Sequence, residues 1–186
     1  SMMFRAQVYV AAWSFLGLTV GFAEAQVFTP IEVPSTGVVE DPSLVALPDG
    51  RLLMSWTELS GPTYAKVQIA LRDNTGWSAP ITVTGGDDLF VNYADFPSAV
   101  GLADGTIAVQ WLRMNGASSY AYSVNMAISS DGGATWGQTV VPHHDVSSRQ
   151  HGFVSLLPDG PLGVLPMCPG GRNHVTTAAF GGAGAT

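Results

Sequence analysis

The chain has 186 residues, a length that suits one domain. Charged residues make up 11% and hydrophobic residues 46%, with 22 glycines and 12 prolines. That composition excludes coiled coils and helical bundles, and its aromatic content excludes a disordered chain. A formal net charge of −7 leaves no basic stripe to displace counterions, so nucleic acid is not an expected partner. The expected class is all-β.

In chain order, the first feature is a targeting segment. Met2-Met3-Phe4-Arg5 gives a short basic start, and an apolar run follows from Ala6 to Phe22. Ala23-Glu24-Ala25 then supplies a small-x-small cleavage signature. Residues 1–25 therefore read as a secretory signal peptide, with Ser1 as a cloning remnant and Gln26 as the mature N-terminus. The rival reading is an uncleaved membrane anchor, since the run approaches the spanning length of ~18 residues. A secreted or periplasmic location follows, without stable membrane insertion after cleavage. Cys168 is the single cysteine, which excludes an internal disulfide and a cysteine-based zinc site.

The rest of the chain repeats. Asp-Gly pairs fall at 49/50, 104/105 and 159/160, a spacing of 55 both times, and Trp56 and Trp111 keep the same spacing. Each pair lies between two apolar runs, the pattern of a β-hairpin whose glycine accepts positive φ. Second hairpins are expected from residues 65–72 into 77–84 and from 122–129 into 135–141. Four short antiparallel strands per ~50 residues is the signature of a β-propeller blade. A single such sheet cannot bury its own faces, so consecutive blades must stack; a β-sandwich is the alternative.

Ser129-Ser130-Asp131-Gly132-Gly133-Ala134-Thr135-Trp136 matches the Asp-box pattern Ser-x-Asp-x-Gly-x-Thr-Trp at Ser129, Asp131, Gly133, Thr135 and Trp136. The aspartate can accept turn N–H groups, the glycine takes positive φ, and the tryptophan packs between sheets. Asn74-Thr75-Gly76-Trp77 is a degenerate copy. These features resemble the sialidase (neuraminidase) superfamily of Asp-box propellers. The likeness is nearest to bacterial secreted exo-α-sialidase-like proteins, which carry stretches similar to Asp88-Leu-Phe-Val-Asn-Tyr-Ala-Asp-Phe-Pro-Ser98 and His151-Gly-Phe-Val-Ser155. The resemblance spans about residues 40–160. It implies a partial six-bladed β-propeller of about two and a half blades over residues 26–167, with 168–186 as an irregular Gly/Ala-rich tail. A truncated or frame-shifted gene would produce such an ending, and assembly of several chains into one ring is the alternative. The open blade edge is a place for self-association.

The resemblance also implies where chemistry lies. Sialidases act at the propeller face opposite the Asp-Gly turns, where Glu40, Asp95 and Gln150 occupy period-equivalent positions. Asp95 is the best match to the family's acid/base, with Asp88 second. Arg113, Arg149 and Arg172 are the candidates to grip a sialic acid carboxylate, because guanidinium forks bind carboxylates bidentately. Glu40 and Asp88 complete the expected substrate-binding set. One departure stands out: Glu40-Asp41-Pro42 replaces the family's Tyr/Phe-Arg-Ile-Pro motif, so its arginine triad does not transfer intact. The family's nucleophile is a tyrosine activated by a glutamate, carried by later blades. Tyr93 lies in the right loop without a matched motif. His143-His144-Asp145 with His151 fits no standard metal spacing and reads as solvated loop. No cofactor or metal is expected. The implied function is a secreted exo-α-sialidase-like glycoside hydrolase acting on sialylated or other acidic glycans, here a truncated and inactive form. The rival is a non-catalytic Asp-box propeller that binds carbohydrate or protein.

Overall fold

The computed structural model describes residues 30–142, 147, 154–159, 163–170 and 174–176. The chain divides into two units, Ser1–Glu32 and Val33–Thr186. In the first, residues 30–32 are described and are irregular; the expected signal segment lies outside the described residues. Among its described residues the second holds eleven strands and no helix. The all-β expectation is met, with antiparallel pairing throughout.

The first sheet joins β1 (Val38–Ala46), β2 (Leu52–Leu59) and β3 (Ala65–Asp73) in sequence order. β4 (Gly76–Trp77) and β5 (Ile81–Gly86) then pair in succession along the free edge of β3. The result is a four-stranded meander whose last strand is interrupted. β6 (Ser98–Gly101), β7 (Ile107–Met114) and β8 (Tyr122–Ser129) form the second sheet in the same way. Its expected fourth strand, 135–141, shrinks to a single Met126–Val140 bridge. Pro142 follows, and a residue without an N–H cannot extend that ladder. β9 (Ser155–Asp159), β10 (Gly163–Gly170) and β11 (His174–Thr176) make the third sheet.

The first two Asp-Gly hairpins are copies. Ala46 pairs with Leu52 and Gly101 with Ile107, each 55 residues apart, and Gly50 and Gly105 sit at φ 87° and 89°. In each turn the aspartate Oδ1 accepts the N–H two residues on, Arg51 at 3.0 Å and Thr106 at 2.9 Å. The third hairpin departs from them. Gly163 pairs with Asp159, so the aspartate has moved from the turn into the strand. In the sequence, Pro161 follows its Asp-Gly pair as Arg51 and Thr106 follow theirs, and proline has no N–H to offer a turn. The stretch expected to be irregular from 168 also departs, since β10 continues to Gly170 and pairs with β11. Pro166 and Pro169 each sit where β10 has a partner on one side only, which a strand proline tolerates.

Alternation of side chains gives each sheet two faces. Leu53, Val67 and Ile69 of the first sheet meet Ile107, Val109, Trp111 and Ala127 of the second in one core. Each fully buried Leu, Val or Ile among them contributes roughly 1.5–3 kcal/mol. The other face of the second sheet carries Val100, Ala108 and Ile128, packed with Leu156 of β9. Covered on both faces, β7 is apolar almost without alternation through Ile107-Ala-Val-Gln-Trp-Leu112. β1, β6 and β9 are neighbours in succession.

Candidate functional site

The connections at the start of β1, between β2 and β3, and after β5 share one end of the first sheet, because Val38 pairs with Leu59, Leu59 with Ala65 and Ala65 with Gly86. The chain then crosses to the same end of the second sheet. Leu89 bridges Arg113, Phe90 N–H donates to Leu112 O at 3.0 Å, and Met114 N–H donates to Asp88 O at 2.8 Å. Residues 88–90 thus lie beside the last residues of β7, and 98–101 lie beside the first. Residues 91–97 between them leave the sheet as an excursion.

Side chains fix both ends of that excursion. Asn92 Oδ1 accepts the Ala94 N–H at 3.3 Å, an Asx-type turn, and Asp95 N–H donates to Asn92 O at 3.2 Å. The return is held by two buried strand residues. Ser55 of β2 donates to Pro97 O at 2.9 Å. Gln110 of β7 donates through Nε2 to Phe96 O at 2.9 Å and to Ser98 Oγ at 3.0 Å.

The excursion turns Asp95 inward until it is 7% exposed. Its Oδ2 accepts the Tyr122 hydroxyl at 3.1 Å and Asn92 Nδ2 at 3.3 Å. Tyr122 is fully buried and stacks on Phe90, with ring centroids 3.9 Å apart and planes at 21°. Its position is thereby fixed before any ligand arrives. Asp95, Phe96, Gln110, Leu112, Val154 and Ser155 line a cavity of about 200 Å³. Gln110 Oε1 is closed to solvent and has no hydrogen-bond partner, the kind of orphaned acceptor that calls for an explanation. A carboxylate in such a setting can hold or deliver a proton to a bound hydroxyl or glycosidic oxygen.

The other expected residues are distributed as follows. Asp88 and Arg113 form an ion pair with each other, and Arg113 also donates to Thr84 Oγ1 at 2.7 Å and to Gly85 O at 3.4 Å. Two nominated substrate-binding groups therefore tie the first sheet to the second. Glu40 is not the structural counterpart of Asp95 despite the spacing: it pairs with Thr57 inside β1 and is exposed. Arg149, Arg172, Gln150, His143, His144, Asp145 and His151 lie outside the described residues. Among the described residues no group of His, Cys, Asp and Glu is arranged to hold a metal, and no helix is long and apolar enough to cross a membrane.

The turn at residues 129–136, expected from its sequence to be an Asp-box, sits at the opposite end, after β8. Asp131 Oδ1 accepts Ser129 Oγ at 2.7 Å and Thr135 N–H at 2.8 Å, and Oδ2 accepts Thr135 Oγ1 at 2.6 Å. These bonds, those from Thr135 above all, hold its carboxyl down at about 2. Asp49, Asp73 and Asp104 are lowered in the same way by hydrogen bonds from Arg51, Thr75 and Thr106. Gly133 takes φ 98° and lies so close that an added Cβ would be 3.2 Å from Ile69 Cδ1, so the turn packs directly on the first sheet. The motif joins sheets and stands away from the cavity.

Sequence reasoning missed Tyr122, Asn92, Ser55 and Gln110. The available signal was polar residues inside otherwise apolar strands: Ser55 and Gln110 stand 55 apart, one per repeat, each facing the start of β6. Comparison with protein-family models and with curated proteins finds no match.

Proposed function

We propose that the chain is a sialidase-like glycoside hydrolase on an Asp-box β-propeller, exported from the cytoplasm, with Asp95 as its acid/base. The propeller reading is supported by the meander of the first sheet, its 55-residue copy in the second, and the sharing of successive faces. The succession of β1, β6 and β9 as neighbours supports it as well. The observation that carries the activity is the Asp95 carboxylate itself. It is buried at a cavity, oriented by Tyr122 and Asn92, and placed at the end of the sheets away from the Asp-Gly turns. Acid/base work needs a positioned carboxyl within reach of the scissile oxygen, and preorganisation supplies much of the rate.

A second reading, a non-catalytic glycan-binding propeller, is favoured by one feature. Arg113 is engaged by Asp88, Thr84 and Gly85 and is not offered to a ligand carboxylate. A fluorogenic sialoside separates the two. The enzyme reading predicts release, against the inactive form that the resemblance implies, and release that disappears in Asp95→Asn while the far-ultraviolet circular dichroism is kept. No release by the wild type, together with retained binding of a sialylated glycan, would replace it with the second reading.

A further inference from the structure

The β2–β3 and β7–β8 connections are each closed by backbone bonds of their own. In the first, Ser60 N–H donates to Tyr64 O at 2.9 Å. In the second, Asn115 N–H donates to Ala121 O and Ala121 N–H to Ser118 O, both at 2.9 Å. The crossing from the first sheet to the second is pinned as well, by the Leu89–Arg113 bridge and the bond from Phe90 N–H to Leu112 O. Residues of these three segments line one open cleft of about 380 Å³. Gly61 and Pro62 come from the first connection, Ser119 from the second, and Val91 from the crossing. Its walls are therefore set by the backbone before any ligand arrives, as those of small-molecule sites usually are.

The lining is apolar. Leu59, Leu89, Phe90 and Met114 are half-buried there, and Val91 is 36% exposed. None of the described residues that line the cleft carries a charge. The charged groups next to them in the chain are engaged with other partners: Arg113 pairs with Asp88, and Asp87 accepts the Thr63 hydroxyl at 2.9 Å. An ion entering the cleft would lose water without gaining a counter-charge. An apolar molecule would bury its own surface and that of these side chains together. Size narrows the choice. An apolar cavity of about 150 Å³ holds a single benzene ring, so a cleft of about 380 Å³ has room for a molecule of about two fused rings. The cleft is separate from the Asp95 cavity, with which it has no lining residue in common.

We propose that this cleft is a second binding site, for an uncharged apolar small molecule of about two fused rings. The site goes beyond the hydrolase reading and does not depend on it. The test is methyl chemical-shift mapping on the full chain, labelled at leucine, valine and methionine, with 2-naphthol and with 2-naphthoate as its charged counterpart. Saturable 2-naphthol shifts are expected at Leu59, Leu89, Val91 and Met114, with a Kd at or below about 1 mM. 2-Naphthoate should bind roughly tenfold more weakly. Gly61→Trp fills the cleft from a position where an added Cβ meets nothing within 4 Å, and Val91→Asp puts a charge into the wall. Each variant is expected to keep the circular dichroism and to weaken 2-naphthol binding by roughly tenfold or more. Absence of saturable shifts at these methyls, equal affinity for the two naphthyl ligands, or wild-type affinity in both variants would overturn the proposal. A concentration-dependent dimer that Gly61→Trp disperses, with no 2-naphthol binding, would overturn it too and mark the cleft as an interface between copies of this chain. Because the readout is binding in the cleft, failure to hydrolyse a sialoside leaves this result standing, and sialoside hydrolysis without 2-naphthol binding removes the cleft alone.

Discussion

The chain enters its first two sheets by different routes. Into the first sheet it runs nearly straight: Val38 to Glu40 pair with β2, a bulge at Asp41-Pro42 follows, and pairing resumes at Ser43. Asp41 holds φ 52°, a left-handed conformation that aspartate tolerates better than most residues. Into the second sheet the same step is stretched, and residues 91–97 loop out before pairing resumes at Ser98. The strands behind the two routes differ to match. By register, Ala65 of β3 stands where Tyr122 of β8 stands, since one pairs with Leu59 and the other with Met114. The first sheet has no ring or hydroxyl at that place to hold a carboxylate. One scaffold thus carries a structural lead-in and a site-building one, and the difference is a few inserted residues plus one aromatic.

The sharpest way to break this comparison is to make the second sheet like the first. Tyr122→Ala should remove the Phe90 stack and the Asp95 hydrogen bond together and cost about 3–5 kcal/mol in urea unfolding. A loss below about 1 kcal/mol would mean that the ring is not the keystone of the excursion. Tyr122→Phe keeps the ring and removes the hydroxyl. It should cost about 1–3 kcal/mol by leaving Asp95 short of a donor, with the loss concentrated in the 91–97 amides by hydrogen exchange.

Thr106→Pro carries the feature of the third hairpin into the second. Without the Thr106 N–H, Asp104 loses its turn partner, and a cost of about 1 kcal/mol is expected. Cross-strand nuclear Overhauser contacts between Gly101 and Ile107 should be replaced by a shifted set; an unshifted register would show that Pro161 is not the cause in the third hairpin.

Acid sharpens the contrast between the two ends of the sheets. Asp131 is held at about 2, below its ordinary 3.8, so its bonds stabilise the fold fully above pH ~4. That contribution is lost as pH falls from there through about 2. Asp131→Asn should lower the melting midpoint at neutral pH and flatten its decline over that window, as followed by circular dichroism. The smallest effect belongs to Asp41, whose carboxyl is raised by burial and by the neighbouring Glu40. A raised carboxyl costs stability at neutral pH and relieves that cost as pH falls through its folded value. Asp41→Asn, which also tolerates positive φ, should leave the protein unchanged or slightly more stable by thermal melting at pH 7.

Much of the fold was legible because local chemistry decides it. Gly50 and Gly105 share one conformation as their spacing implies, and Ser129, Asp131 and Thr135 make the turn bonds that their side chains suggest. The site was half legible. Asp95 stands out by position, but the spacing that equates it with Glu40 hides the excursion, because counting along the chain does not register where pairing stops and resumes. The sequence presents Arg113 as a ligand-facing group because its partner Asp88 is 25 residues away and no local pattern joins them. Tyr122 only opens the expected strand 122–129, and nothing along the chain joins its hydroxyl to Asp95, 27 residues before it.

The central claim is that ligand chemistry belongs to the second lead-in and not to the first. Amide chemical-shift mapping with sialyllactose on isotope-labelled protein tests it most directly. The account predicts perturbations concentrated in residues 91–97 and at Gln110 and Tyr122, with residues 38–43 unmoved. Perturbations centred on residues 38–43, or none at saturating sugar, would contradict it.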